Sequence, residues 1–153
     1  MSLTIKATDF PTFVGKDLEP SSWMEITQQR VNQFADATND HQFIHVDPEK
    51  AARTPFGGPI AHGFLTLSLI SHLTAEKSLK PEGLIMGINY GSDKVRFLHP
   101  VRVGSRIRAQ QKILEVSEKN PGQWLIKTAV TIELENVEKP ALIAEFLAML
   151  IVR

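Results

Sequence analysis

The sequence predicts an α+β fold: one antiparallel sheet wrapped around a single buried helix. Three patterns carry this. Ile107, Ala109, Gln111 and Ile113 alternate with Arg106, Arg108, Gln110 and Lys112, and Trp124, Ile126, Thr128, Val130, Ile132 and Leu134 alternate with a more polar set. That period of two belongs to half-buried antiparallel strands. Phe64, Leu65, Leu67, Leu69, Ile70 and Leu73 leave a helix almost no polar face, so it is expected to be buried. Ala141 to Val152 is nearly continuous apolar sequence, as in a central strand covered on both faces.

The elements follow in chain order. Thr27 is placed to cap a helix whose apolar positions are Val31, Phe34, Ala35 and Thr38, with Asn39 as a left-handed stop. A polar loop, Asp40 to His45, comes next. Asp47-Pro48-Glu49 opens a short helix, with Asp47 as cap and Pro48 in the first turn. Thr54 to Pro59 breaks it. The long apolar helix begins near Ala61-His62-Gly63. Ile85–Tyr90 and Lys94–Leu98 supply two strand candidates. Asn120-Pro121-Gly122 is a turn between the long strands, and Glu138-Lys139-Pro140 is expected to be a second break. A roll of this kind leaves an open sheet edge, which pairing with a second copy would cover.

Composition narrows the function. The chain's 153 residues fit one domain, residues 1–153. Lysine plus arginine number 17 and aspartate plus glutamate 17. This balance argues against a nucleic-acid surface or a polybasic membrane patch. With no cysteine there is no thiolate nucleophile, disulfide framework or iron–sulfur cluster, which is compatible with a cytoplasmic protein. The N-terminus lacks the pattern of a secretory signal, and no apolar stretch is long enough to span a bilayer, so a soluble protein is expected.

Of the five histidines, three sit in or beside the breaks that flank the apolar helix. Asp40 and His45 stand at the two ends of a short loop that can turn both toward one point. An acid and an imidazole around one water provide a base and an acid near neutral pH. The same spacing also suits an exposed loop carboxylate and a packing histidine. His41 and His45 are four apart, which suits a metal only on a helix, with His62 as a conceivable further ligand; no metal is expected. Gly63 lies in the first turn of the apolar helix, where glycine costs stability. Two readings stay open there: close approach of a ligand to the helix N–H groups, or tight packing against the sheet. Lys94, Arg96 and the arginines beyond them read as a solvated face, with a weak phosphate-binding alternative.

The stretch Phe34-Ala35-Asp36-Ala37-Thr38-Asn39-Asp40-His41-Gln42-Phe43-Ile44-His45-Val46-Asp47-Pro48 resembles the hydratase motif of the MaoC-like, (R)-specific enoyl-CoA hydratases. Pro59-Ile60-Ala61-His62-Gly63-Phe64 resembles the start of that family's central helix. Asn89-Tyr90-Gly91, Lys94 to Phe97 and Pro100 to Gly104 resemble its strand segment. The resemblance runs over residues 20–150 and is nearest to the short, NodN-like branch.

It implies a hot-dog fold, a homodimer, an acyl-CoA substrate and no cofactor. It further implies reversible syn hydration of a trans-2-enoyl-CoA to an (R)-3-hydroxyacyl-CoA. Asp40 and His45 would be the catalytic pair. Gly63 would bind the thioester oxygen through its N–H, with His62 and Gln42 in the substrate-binding set and Ser71 lining the acyl tunnel. Gln42-Phe43 stands where the family often has Asn-Pro, which leaves chain-length preference open. Two alternatives remain: a hot-dog thioesterase, disfavoured because the helix offers no acid before Glu76, and a silent acyl-binding module, disfavoured because the pair is intact.

Overall fold

The computed structural model describes residues 2–153. Met1, the first residue of the N-terminal segment discussed above, lies outside the described residues. Strand β1 (Leu3–Ile5) leads into a 3-10 helix, Ala7–Phe13, and then β2 (Met24–Glu25). Helix α1 (Gln28–Thr38) begins where expected, because the Thr27 hydroxyl accepts from the Arg30 N–H. It ends on Asn39 at φ 58°, a left-handed stop that asparagine tolerates. The segment expected as a plain loop contains a helical turn, α2 (Phe43–Val46). Helix α3 (Pro48–Ala51) starts on Asp47, whose carboxylate accepts from the Lys50 N–H.

The central helix is α4 (Gly63–Ser68) followed by α5 (Ile70–Ala75). The Leu69 and Leu73 N–H groups still reach the carbonyls of Leu65 and Leu69, so the two run on as one rod with a flattened turn. The Ser68 hydroxyl donates back to the Phe64 carbonyl, the kind of bond that bends a helix. Then come β3 (Leu79–Pro81), β4 (Leu84–Phe97), β5 (Arg106–Asn120), β6 (Gln123–Leu134) and β7 (Val137–Val152). The main sheet has the order β2-β5-β6-β7-β4, antiparallel throughout, while β1 and β3 form a separate parallel pair.

The alternation sets the core. Ile107 pairs with Leu134, Ala109 with Ile132 and Gln111 with Val130, so the expected apolar sets share one face. That face packs on Leu65, Leu69, Ile70 and Leu73 of the helix. Ile70, Ile107 and Ile132 are fully buried, and each such side chain contributes about 1.5–3 kcal/mol. A second cluster forms where Phe10 closes the far end against Leu79, Ile113, Trp124 and Ile126.

Four expectations need correction. The helix is not buried all round: Phe64 is 68% exposed, and Ser68, Ser71 and His72 face outward with it, because one curled sheet covers only one side of the rod. The two strand candidates at 85–98 are one strand, β4, kept in register by bulges near Asn89 and Asp93. The break at 138–140 is instead a turn at 135–136, with Asn136 at φ 62°. Pro140 lies inside β7 between the paired positions Val137 and Leu142, at a register shift where its missing N–H costs no ladder bond. Finally, β7 is buried only at Ala141, Leu142 and Ala144, because no second layer covers its outer face.

Candidate active site

Asp40 follows the left-handed stop of α1, so the chain turns back over the end of that helix. Its carboxylate accepts from the Gln42 N–H at 3.4 Å, and the Gln42 carbonyl accepts from the His45 N–H at 3.0 Å. These two bonds start α2 and bring His45 inward. Gln28 of α1 donates its amide to the His45 carbonyl at 2.8 Å. On the other side, the Ile60 N–H donates to the Ile44 carbonyl at 3.0 Å. The Ile60 carbonyl in turn accepts from His45 Nδ1 at 2.7 Å. Ala61 is tied to Val101. His45 is thus held between α1 and the segment that leads into the central helix.

The result is a compact triad. One carboxylate oxygen of Asp40 and one ring nitrogen from each of His45 and His62 lie within 4.8 Å of one another. The side chain of Asp40 is 54% exposed, whereas His45 and His62 are 7% and 3% exposed. Their rings stack at 3.8 Å between centroids, tilted 23°. Phe34 of α1 packs on the other ring of the stack, 4.9 Å from His62.

The hydrogen bonds assign the tautomer of His45. Its Nδ1 carries the proton donated to Ile60, leaving the Nε2 lone pair free. Burial holds the His45 pKa below the ordinary imidazole value; the bond to Ile60 and the Asp40 charge oppose this, and His62 adds to it. The ring is therefore neutral at pH 7, with its Nε2 lone pair unprotonated.

A metal ion would need ring lone pairs aimed at it from about 2.0–2.1 Å. Two rings stacked this closely direct their lone pairs along nearly parallel planes. One nitrogen of each is also spent on a main-chain carbonyl. The arrangement suits a proton-transfer centre better than a chelate. His41 does not join it; its ring pairs with Asp36 at 2.8 Å.

The other candidate residues divide. Gly63 stands at the start of α4, one residue from the triad, where an N–H has no intrahelical acceptor. The packing reason for this glycine is also present: a Cβ there would lie 3.0 Å from the Phe97 ring. A cavity of about 200 Å³ opens beside it, bordered by Thr66, Phe97 and His99. Gln42 acts through its backbone, and its side chain is exposed. His62 has almost no surface to offer a ligand. Ser71 lies two turns along the helix from Gly63, about 12 Å by helical rise, and its hydroxyl donates to Asn89 at 3.3 Å. Lys94 is paired with Glu145, and Arg96 donates to the Val95 carbonyl. Sequence reasoning missed the Ile60 carbonyl, Gln28 and Phe34 as supports. A main-chain acceptor leaves no trace in residue type, and the other two read as ordinary helix positions.

A curled antiparallel sheet around a central helix defines a hot-dog protein, and here an acid and an imidazole converge beside the helix start. Residues 9–137 match the family described as the MaoC like domain, and the chain belongs to that family. It is 47% identical over 146 residues to nodulation protein N of Rhizobium meliloti (strain 1021), covering 95% of this chain and 91% of that protein. It is 47% identical over 137 residues to 3-hydroxyacyl-thioester dehydratase Z of Mycobacterium tuberculosis, covering 90% of each. Among solved structures, the (R)-hydratase from A. caviae involved in PHA biosynthesis superposes with a TM-score of 0.71 at 26% identity, over 88% of this chain and 94% of that one. Among the described residues no helix is long and apolar enough to cross a membrane.

Proposed function

We propose that this hydro-lyase is an (R)-specific enoyl-CoA hydratase, adding water reversibly and syn to a trans-2-enoyl-CoA to give the (R)-3-hydroxyacyl-CoA. The observation that carries this is the convergence of the Asp40 carboxylate and the His45 ring within 4.8 Å, beside the start of the central helix. Water held between them loses a proton to the free His45 Nε2 while its oxygen bonds to the β-carbon. The electrons of the double bond move toward the thioester oxygen, and the Gly63 N–H stabilises that enolate. The enolate then collapses and takes the proton back from the pair at the α-carbon. Oxygen and proton come from one side of the substrate, which is syn addition. The proton removed is the proton delivered, so no cofactor or metal enters the balance.

Two hollows along the helix could take the acyl chain. Leu67, Ser71, Asn89 and Phe146 border a surface depression. Phe146 also borders an apolar cavity of about 160 Å³ behind it, with Thr74, Gln111 and Val130. A thioesterase reading finds no acid here. Glu76, the first acid of the helix, is engaged by the N–H and hydroxyl of Ser22.

The enzyme works as a homodimer in the cytoplasm. Among the described residues, strand β4 has a partner only on its β7 side, and Ile85, Met86, Ile88 and Tyr90 are exposed along it. A long apolar edge of this kind calls for a second copy. Loss of enoyl-thioester absorbance with crotonyl-CoA tests the activity, with the product assigned by (R)- and (S)-specific dehydrogenases. The Asp40→Asn and His45→Gln variants should each lose about 10²–10⁴-fold in kcat. No turnover of crotonyl-CoA or of longer, branched or aromatic enoyl-CoAs would leave a silent acyl-binding module as the better account.

A further inference from the structure

His62 is a buried, titratable side chain for which the proposed reaction has no use. Its placement is nevertheless specific. The Nε2–H donates to the main-chain carbonyl of Asp40 at 2.9 Å, reaching across 22 positions of sequence. Its ring lies flat on His45 and is backed by Phe34. Its other nitrogen, Nδ1, is buried with no hydrogen-bond partner among the described residues. A histidine chosen only to fill space would not leave a buried polar atom unsatisfied, since a phenylalanine would fill the same place without that penalty. The polar atom that is used must therefore justify the residue.

We propose that His62 is a positioning residue for the Asp40–His45 pair. Its Nε2–H fixes the main chain at residue 40, and its ring face fixes the rotation of His45. Both members of the pair are thereby referred to one rigid point, the first turn of the central helix. The need for such a point is visible in the chain. Asp40 is exposed and sits in a loop where the Gln42 N–H donates to its carboxylate over a long 3.4 Å. That same carboxylate must also hold water, so a second anchor that leaves it free steadies the loop. The main-chain carbonyl provides it, and His62 reaches it. His62 is 3% exposed and offers a substrate almost no surface; it acts through Asp40 and His45. The kinetic consequence rests on the hydratase reading, but the structural consequence does not.

Two variants separate the functions of the ring. His62→Phe keeps the stacking face and loses the donor. His62→Gln keeps an amide donor at about the reach of Nε2 and loses the ring. In His62→Phe, kcat for crotonyl-CoA should fall at least tenfold while KM moves less than threefold and Tm stays within a few degrees of the parent. In His62→Gln, at least a third of the lost kcat should return. An activity-independent readout accompanies them. The Asp40 carbonyl ¹³C resonance of the ligand-free protein should shift upfield in His62→Phe, as the hydrogen bond is lost, and stay near its parental position in His62→Gln.

A folded His62→Phe protein with parental kcat and an unmoved Asp40 carbonyl would overturn the proposal. So would equal losses in both variants accompanied by a fall in Tm, which would show packing alone. If the parent hydrates no enoyl thioester, the reaction reading fails, and the Asp40 carbonyl shift still decides whether His62 holds residue 40.

Discussion

Gly63→Ala separates the two reasons for a glycine at the start of the central helix. The added methyl would lie 3.0 Å from both Cδ1 and Cε1 of Phe97, against an optimum of about 3.5–4.0 Å between carbon atoms. The ring must retreat by a few tenths of an ångström. Phe97 is 49% exposed and T-stacked on Phe64 at 5.9 Å, so it can move, but at the expense of that contact. Overpacking of this kind costs about 1–3 kcal/mol. Replacing glycine by alanine in a helix returns up to about 1 kcal/mol, and less in the first turn. The net is a loss of about 1 kcal/mol, or about 2–4 °C in Tm for a chain of this size. In a Phe97→Ala background the obstruction is gone, so the same substitution should become neutral or stabilising. Thermal unfolding of the four proteins of this cycle gives the coupling directly. Equal destabilisation by Gly63→Ala in both backgrounds would refute the contact and the packing argument with it. The N–H at residue 63 survives in every variant, so any kcat loss that Phe97→Ala restores belongs to displacement of that N–H.

Other outcomes follow from the same geometry. The pKa of His45 is depressed, chiefly by burial, and its neutral form is the base. Hydration should therefore hold through pH 7 and fall only as pH drops below the ordinary imidazole value near 6.5, with the acid limb absent from His45→Gln. Stability has the same sign: above the unfolded pKa His45 costs nothing, and as pH falls through that value toward the depressed folded one the unfolded state gains protons first and stability is lost. An acid limb above the ordinary value would contradict the buried, Nδ1-protonated ring. A charge on the exposed edge, Ile88→Lys, should shift the protein toward monomer in sedimentation. An unchanged dimer would place the interface elsewhere than β4.

Much of this architecture was legible because local signals and burial agreed. Thr27, Asn39 and Asp47-Pro48 carry their capping chemistry in their own side chains, and the period of two in β5 and β6 survives folding unchanged. The misplaced turn before β7 shows where this fails. Pro140 looks like a break, yet it falls at a register shift where no ladder bond is required of it, and Asn136 makes the turn instead. The exposed face at Phe64 was unreadable for another reason. An apolar helix face favours burial, but its residues carry no sign of which layer, if any, lies over it. At the site, Asp40 and His45 could be picked out by type and spacing. The His62 stack and the Ile60 carbonyl could not, since both depend on a contact made by the returning chain.

In the proposed reaction one pair, on one side of the substrate, both takes and returns the proton. Hydration of crotonyl-CoA in D₂O, with the 3-hydroxybutyryl product analysed by NMR and chiral separation, tests it most directly. That reaction gives the (3R) product carrying one deuterium at the α-carbon, in the configuration left by syn addition. A (3S) product, or deuterium placed by anti addition or scrambled over both α-positions, would contradict it.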